Sequence, residues 1–346
     1  MKTTEIKRNS SFELMRIICM FMILCLHANK DMLFTHDYAI PRYIKAFMTV
    51  SESLCISAVN CFVLITGYFM ITSSRLKIRK AAELVVLTSG YGLTFFIIMC
   101  LCGKCYFSFE VMLSCAAPYF YDKVWFINIY LVLILLAPFV NKGLTALSKD
   151  SYRLLLVIVL ILFSVWPSFF PNPPQQDKGY GIVSFLMIYM IGGYIRLHTE
   201  RQKKPVKYLA AYIALSAVTA VLFHSGVIAG DWLSYNSVFI VASSVCLFLV
   251  FRSFEINSEK LNLVSRSAIA VYIIHAHQLI RPHIFIDWLK LPDKLGSPAF
   301  IAVYLGGLLL ICAVCLAIDI PRRILDKRVT SKVLDKVSFF NITKDI

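Results

Sequence analysis

Two polar side chains, Arg16 and His27, stand inside the first apolar run of the chain, with Glu13 one turn before the arginine. Eleven residues of α-helix turn through about 1100°, some 20° beyond three full turns, so both side chains share one face. They are separated by about 16–17 Å along the axis. A charge at the centre of a spanning helix costs about 2.5–3.5 kcal/mol on the insertion scale, so each one asks for a reason. An imidazole titrates near neutrality and suits general-base work. A guanidinium suits phosphate, and Glu13 at i,i+3 is placed to hold it. The plainer roles are an arginine snorkelling to headgroups and a histidine seated in the interface. The shared face favours chemistry.

Other candidates follow along the chain. Glu52, in Ser51-Glu52-Ser53, lies at a depth comparable with His27 and is placed to orient an imidazole or bind a sugar hydroxyl. Asn60, about two turns on, either bonds a neighbouring helix or lines a pocket. Arg75, Lys77, Arg79 and Lys80 form a basic run that serves membrane topology, a phosphate clamp, or both. Trp125 has the depth of an interfacial aromatic. His275 and His277 point about 200° apart, so at least one should face the interior of a helix bundle.

The elements that carry these residues must be membrane helices. Of 346 residues, 59% are hydrophobic and only 16% charged, too apolar for a water-soluble enzyme or a disordered chain. The formal charge of +15 is spread as short islands between apolar runs, which argues against a nucleic-acid patch. About ten runs reach spanning length: 12–29, 46–71, 81–102, 124–140, 152–170, 182–197, 207–223, 233–251, 264–284 and 298–318. With the N-terminus inside, the inner segments hold 25 of the 35 basic residues and the outer ones nine. That excess puts both termini in the cytoplasm. The expected fold is therefore all-α and polytopic: one membrane domain over 1–346, with 319–346 a basic amphipathic cytoplasmic tail. The outer segment Pro171-Asn172-Pro173-Pro174 reads as a rigid turn. Most of the 11 cysteines fall in spans as small apolar residues, and none has zinc-site spacing. A Cys105–Cys115 bridge in an outer loop is left open.

Taken in order, these segments resemble the acyltransferase 3 family of integral-membrane enzymes from bacteria and some animals. The resemblance rests on Arg16-x10-His27, on Val59-Asn60-Cys61-Phe62 through Thr66-Gly67-Tyr68-Phe69, on Trp125-Phe126 running to Pro138, and on Tyr272-Ile273-Ile274-His275. It implies an O-acetyltransferase of the bacterial plasma membrane, with no bound cofactor. Acetyl-CoA or another acyl-CoA would be co-substrate, and a hydroxyl of a surface polysaccharide or lipid-linked sugar the acceptor. It also implies that Arg16 and His27 are essential. Relatives often carry Arg-x-x-Arg after the second helix; here the basic positions are 75, 77, 79 and 80, and which of them fills that role is open. In this scheme His27 is the base or briefly carries the acyl group, and Glu52 orients it. Arg16 neutralises phosphate or lines the passage of the pantetheine arm, while Arg75, Lys77, Arg79 and Lys80 gather the nucleotide. Asn60, Trp125 and His275 line the acceptor pocket. A homodimer is left open. A transporter or flippase for a lipid-linked sugar is the rival, since buried Arg, Glu and His also mark transport pathways; no internal repeat supports it.

Overall fold

Asn9 starts the first helix. Its Oδ1 accepts from Ser11 N at 3.0 Å and from Ile256 N at 3.2 Å, so one side chain caps a helix and ties it to a distant turn. The structure, a computed structural model, describes residues 9–33, 38–121, 123–225 and 231–328. Among these the chain is all-helical, with no strand. Its helices are α1 (Ser11–Leu33), α2 (Arg42–Cys55), α3 (Ser57–Met70), α4 (Ile78–Leu101), α5 (Phe109–Ala116), α6 (Trp125–Thr145) and α7 (Lys149–Leu160). They continue with α8 (Trp166–Phe169), α9 (Ile182–His198), α10 (Pro205–Ser225), α11 (Val238–Arg252) and α12 (Glu259–Ser265). The last are α13 (Ala268–His275), α14 (Arg281–His283) and α15 (Phe300–Arg328).

Among the described residues, seven helical runs are long and apolar enough to cross a membrane: Ser11–Met32, Arg42–Met70, Ile78–Leu101, Trp125–Thr145, Lys149–Phe169, Pro205–Ser225 and Phe300–Ile324. Seven fall short of the ten expected. Helices α9 and α11 have 17 and 15 residues, about 25 and 22 Å, and both are largely buried by other helices. The segment 264–284 is not one helix. Its α13 has eight residues, about 12 Å, and ends at His275. Hydropathy sums a window and does not register such a break. Pro282 supplies no backbone donor, and Gln278 instead reaches sideways to Ser114 Oγ at 2.8 Å and Cys115 Sγ at 3.0 Å. Cys105 and Cys115 are both free thiols.

A second proline shows how a break is repaired. Pro167 cannot donate to the Phe163 carbonyl four residues back, and the helix widens to a π turn over Ile161–Val165. Asn236 Nδ2 fills the gap, donating to Phe163 O at 3.2 Å.

Helices α1, α2 and α3 form the buried centre, while α7, α10 and α15 keep most of their surface outward. Helices α3 and α9 meet backbone to backbone. A Cβ on Gly67 would strike the Tyr189 carbonyl, and one on Gly192 the Leu64 carbonyl. Small residues allow this close approach in a membrane bundle. Helix α15 runs unbroken through Pro321 to Arg328, so the first part of the expected tail belongs to the last helix. Val329, Val333 and Val337 of that tail lie outside the described residues.

Candidate active site

Helix α1 carries the site along its length. At its inner end by the expected topology, Arg16 Nη1 donates to Glu13 Oε1 at 2.8 Å, the pairing that i,i+3 spacing predicts. Glu13 is buried, and its Oε2 accepts from Ser265 Oγ at 2.6 Å, which ties α1 to α12. Arg16 borders a cavity of about 400 Å³ that Lys77, Lys80 and Arg266 also line. Its deeper wall is apolar and aromatic, including Phe62, Phe126 and Tyr130.

The basic run divides here. Lys77 and Lys80, three residues apart, line the cavity. Arg79 turns to Glu83 Oε1 at 3.1 Å, and neither it nor Arg75 borders the cavity. Of the four basic positions, Lys77 and Lys80 are the two that reach this cavity. Asn141 sets the turn that delivers them: its Nδ2 donates to Met70 O at 2.6 Å and Ser73 O at 2.9 Å, capping the end of α3. Burial, and then the charge of Lys80, hold the Lys77 ammonium below its ordinary pKa.

His27, eleven residues along the same face, is part-exposed and meets the end of α13. Its Nδ1 lies 2.9 Å from Nε2 of fully buried His275. His275 Nδ1 is 2.5 Å from the Val271 carbonyl. A carbonyl only accepts, so His275 Nδ1 carries the hydrogen and its Nε2 accepts. His27 Nδ1 must then donate, which leaves the lone pair of the neutral ring on Nε2. The partner of His27 is thus His275, and not Glu52 as expected. A depth read from spacing says nothing about direction around the helix. His277 points elsewhere, tilted against Phe95 at 5.3 Å between ring centroids.

Glu52 is held by α1 at a different residue. Asn29 Nδ2 donates to Glu52 Oε2 at 2.8 Å, and Asn29 Oδ1 accepts from Tyr304 OH at 2.8 Å. Asp31 and Arg281 clasp the end of α1 with bonds of 2.8 and 3.2 Å, fixing it beside the turn that follows α13. Asn29, Asp31 and Tyr304 carried no signal in their own segments, because each acts through a partner distant in sequence.

Near Glu52 an aromatic cluster closes the far end. Trp125 lies 4.6 Å from Tyr180 and 5.6 Å from Tyr235 between ring centroids, and the two tyrosines are 5.1 Å apart. Asn60 is a strut beneath them, donating to Tyr235 O at 2.8 Å. Burial raises the Tyr180 pKa, a Tyr235 hydrogen bond opposes this, and the Glu52 carboxylate adds to the rise. Phe126 separates this end from the inner cavity. It packs on Tyr272 at 5.8 Å, and Tyr272 lies 6.1 Å from His27.

The acyltransferase 3 family model, described as an acyltransferase domain, matches residues 9–319, nearly the whole chain. Searches of curated proteins and of solved structures return no match. The chain belongs to the acyltransferase 3 family, and its membrane-spanning helical unit is an acyltransferase domain.

Proposed function

We propose that the protein transfers a short acyl group, acetyl in the first instance, from acyl-CoA to a hydroxyl of a surface polysaccharide or lipid-linked sugar. The membrane is the bacterial plasma membrane, with both termini cytoplasmic. The observation that carries this reading is the His27–His275 bond, whose direction leaves a basic nitrogen at His27 Nε2. A sugar hydroxyl is a poor nucleophile and gains most from such a base.

Acyl-CoA enters from the basic side, its arm in the cavity lined by Arg16, Lys77 and Lys80. The acceptor arrives from the other end, its ring against Trp125 and a hydroxyl near Glu52. His27 Nε2 takes the hydroxyl proton as the oxygen forms its bond to the thioester carbonyl. The C–S bond then breaks, and the departing thiolate recovers the proton from His27. His275 accepts from the opposite nitrogen throughout and keeps the ring in its reactive tautomer.

The test is acyl transfer from labelled acetyl-CoA into glycan in isolated membranes, with mass spectrometry of the glycan. Wild type is expected to add one acyl unit, and His27→Gln to lose nearly all transfer while still binding CoA. Unchanged transfer by His27→Gln refutes the base. Sugar movement across vesicles without any acylation would favour the transporter.

A further inference from the structure

Arg266 sits in the short turn between α12 and α13, an exposed guanidinium with no hydrogen-bond or ion-pair partner among the described residues. It borders three cavities at once. The first, of about 400 Å³, is the one that Arg16 and Lys77 line. The second, of about 630 Å³, lies between α4 and α15 and has Arg322 on its far wall. The third, of about 460 Å³, runs along Glu259 and Lys260. The first two also share Lys80, Leu84 and Ile269, so they form one trough that bends at Arg266 and Lys80.

The walls change character along the trough. The first cavity is the smaller and has Phe62 and Phe126 in its wall, the junction carries two cations, and the second cavity is the larger. A thin chain, then closely spaced phosphates, then a bulky end would match that order. Topology alone asks for cations on this surface, but it gives no reason for one to border several cavities. This one lies where cavities meet. A guanidinium without an internal partner keeps its fork of donors for phosphate oxygens.

We propose that Arg266, with Lys80, grips the diphosphate of the acyl-CoA donor, so that the adenosine end lies in the second cavity towards Arg322. Arg322 itself is held by Asp319, at 2.8 and 3.0 Å, and forms a fixed end wall. This assignment rests on the acyl-CoA reading above and adds which end of the donor goes where. It makes Arg266 a binding residue remote from the reacting atoms.

The experiment measures binding, so it needs neither acceptor nor turnover. Full-length protein in phosphatidylcholine nanodiscs is titrated with CoA, 3′-dephospho-CoA and pantetheine, as wild type and Arg266→Gln. Arg266→Gln is expected to weaken CoA and dephospho-CoA alike by about tenfold, the loss of a charged hydrogen-bonding anchor. Pantetheine binding should not change. Equal CoA affinity in both proteins overturns the assignment, and so does an equal loss for pantetheine, which would mean a disturbed fold. A repeat in phosphatidylglycerol nanodiscs tests the other source of phosphate. If the variant loses only stabilisation by that lipid, Arg266 serves a headgroup and the proposal fails. A wild type that binds no CoA removes the donor reading itself, a result distinct from CoA binding that ignores Arg266.

Discussion

His27 Nδ1 donates to His275 Nε2 across 2.9 Å because the other nitrogen of His275 is committed to the Val271 carbonyl. Two residues 248 positions apart thereby fix which nitrogen of His27 is basic. His275→Ala removes the acceptor and frees the ring to flip. Turnover in membranes should fall by about 10²-fold or more, with CoA affinity unchanged. His275→Gln, whose carbonyl oxygen can still accept, should recover part of that loss. A purely structural histidine would give no such rescue.

Glu52 and Asn29 separate a network from a charge. Glu52→Gln still accepts from Asn29 and should fold normally, while the acceptor concentration needed for half-maximal transfer rises several-fold. Asn29→Leu strands the Glu52 carboxylate and leaves the Tyr304 hydroxyl only its longer bond to the Cys25 carbonyl, at 3.2 Å. Thermal unfolding in detergent should show a loss of about 1–3 kcal/mol or more. The pair of variants distinguishes binding from support.

On the acyl-CoA reading, Phe126 is the residue that limits how far an acyl chain reaches. Its ring walls the inner cavity and packs on Tyr272 at 5.8 Å. Phe126→Ala should shift donor preference from acetyl towards longer chains, read by competing acyl-CoAs of two to eight carbons. An unchanged preference would place the limit elsewhere.

On the acyl-CoA reading, Lys77 gives donor binding a pH dependence. Burial and Lys80 lower its pKa, whereas a bound phosphate favours the charged form. Binding therefore takes up protons, and CoA affinity should fall as pH rises through the lowered pKa. The fall should begin at a lower pH than an ordinary lysine would give. Lys77→Arg, which stays charged, should flatten the profile in titrations across the alkaline range.

The seam between α3 and α9 tolerates no added carbon. Gly67→Ala and Gly192→Ala each drive a Cβ into a carbonyl. Each should destabilise the bundle by about 1–3 kcal/mol, visible as a lower unfolding temperature.

The stripe from Arg16 to His27 was legible because both residues ride one helix, where rotation per residue is fixed. The Glu13–Arg16 bond was legible for the same reason. The partner of His27 was not, since periodicity gives the face of a helix but not what packs against it. Glu52 shows the limit well: it was expected to orient His27, and its hydrogen bond goes to Asn29. Asn60 donates to the Tyr235 carbonyl in the turn before α11, a partner that its own helix gave no sign of. Arg266 was counted only as an inner-surface charge, because a cavity junction is made by several helices at once. The break after His275 had signals in Pro282 and in the polar residues around it, but averaging over a window erased them.

The rings of Phe126 and Tyr272 stand between the inner cavity and His27. A catalyst fed from two compartments risks becoming a leak, since a continuous file of water through it would short-circuit the proton gradient. Aromatic side chains packed edge to face interrupt such a file. On the acyl-transfer reading proposed above, such a barrier lets the cell decorate its surface without discharging its membrane.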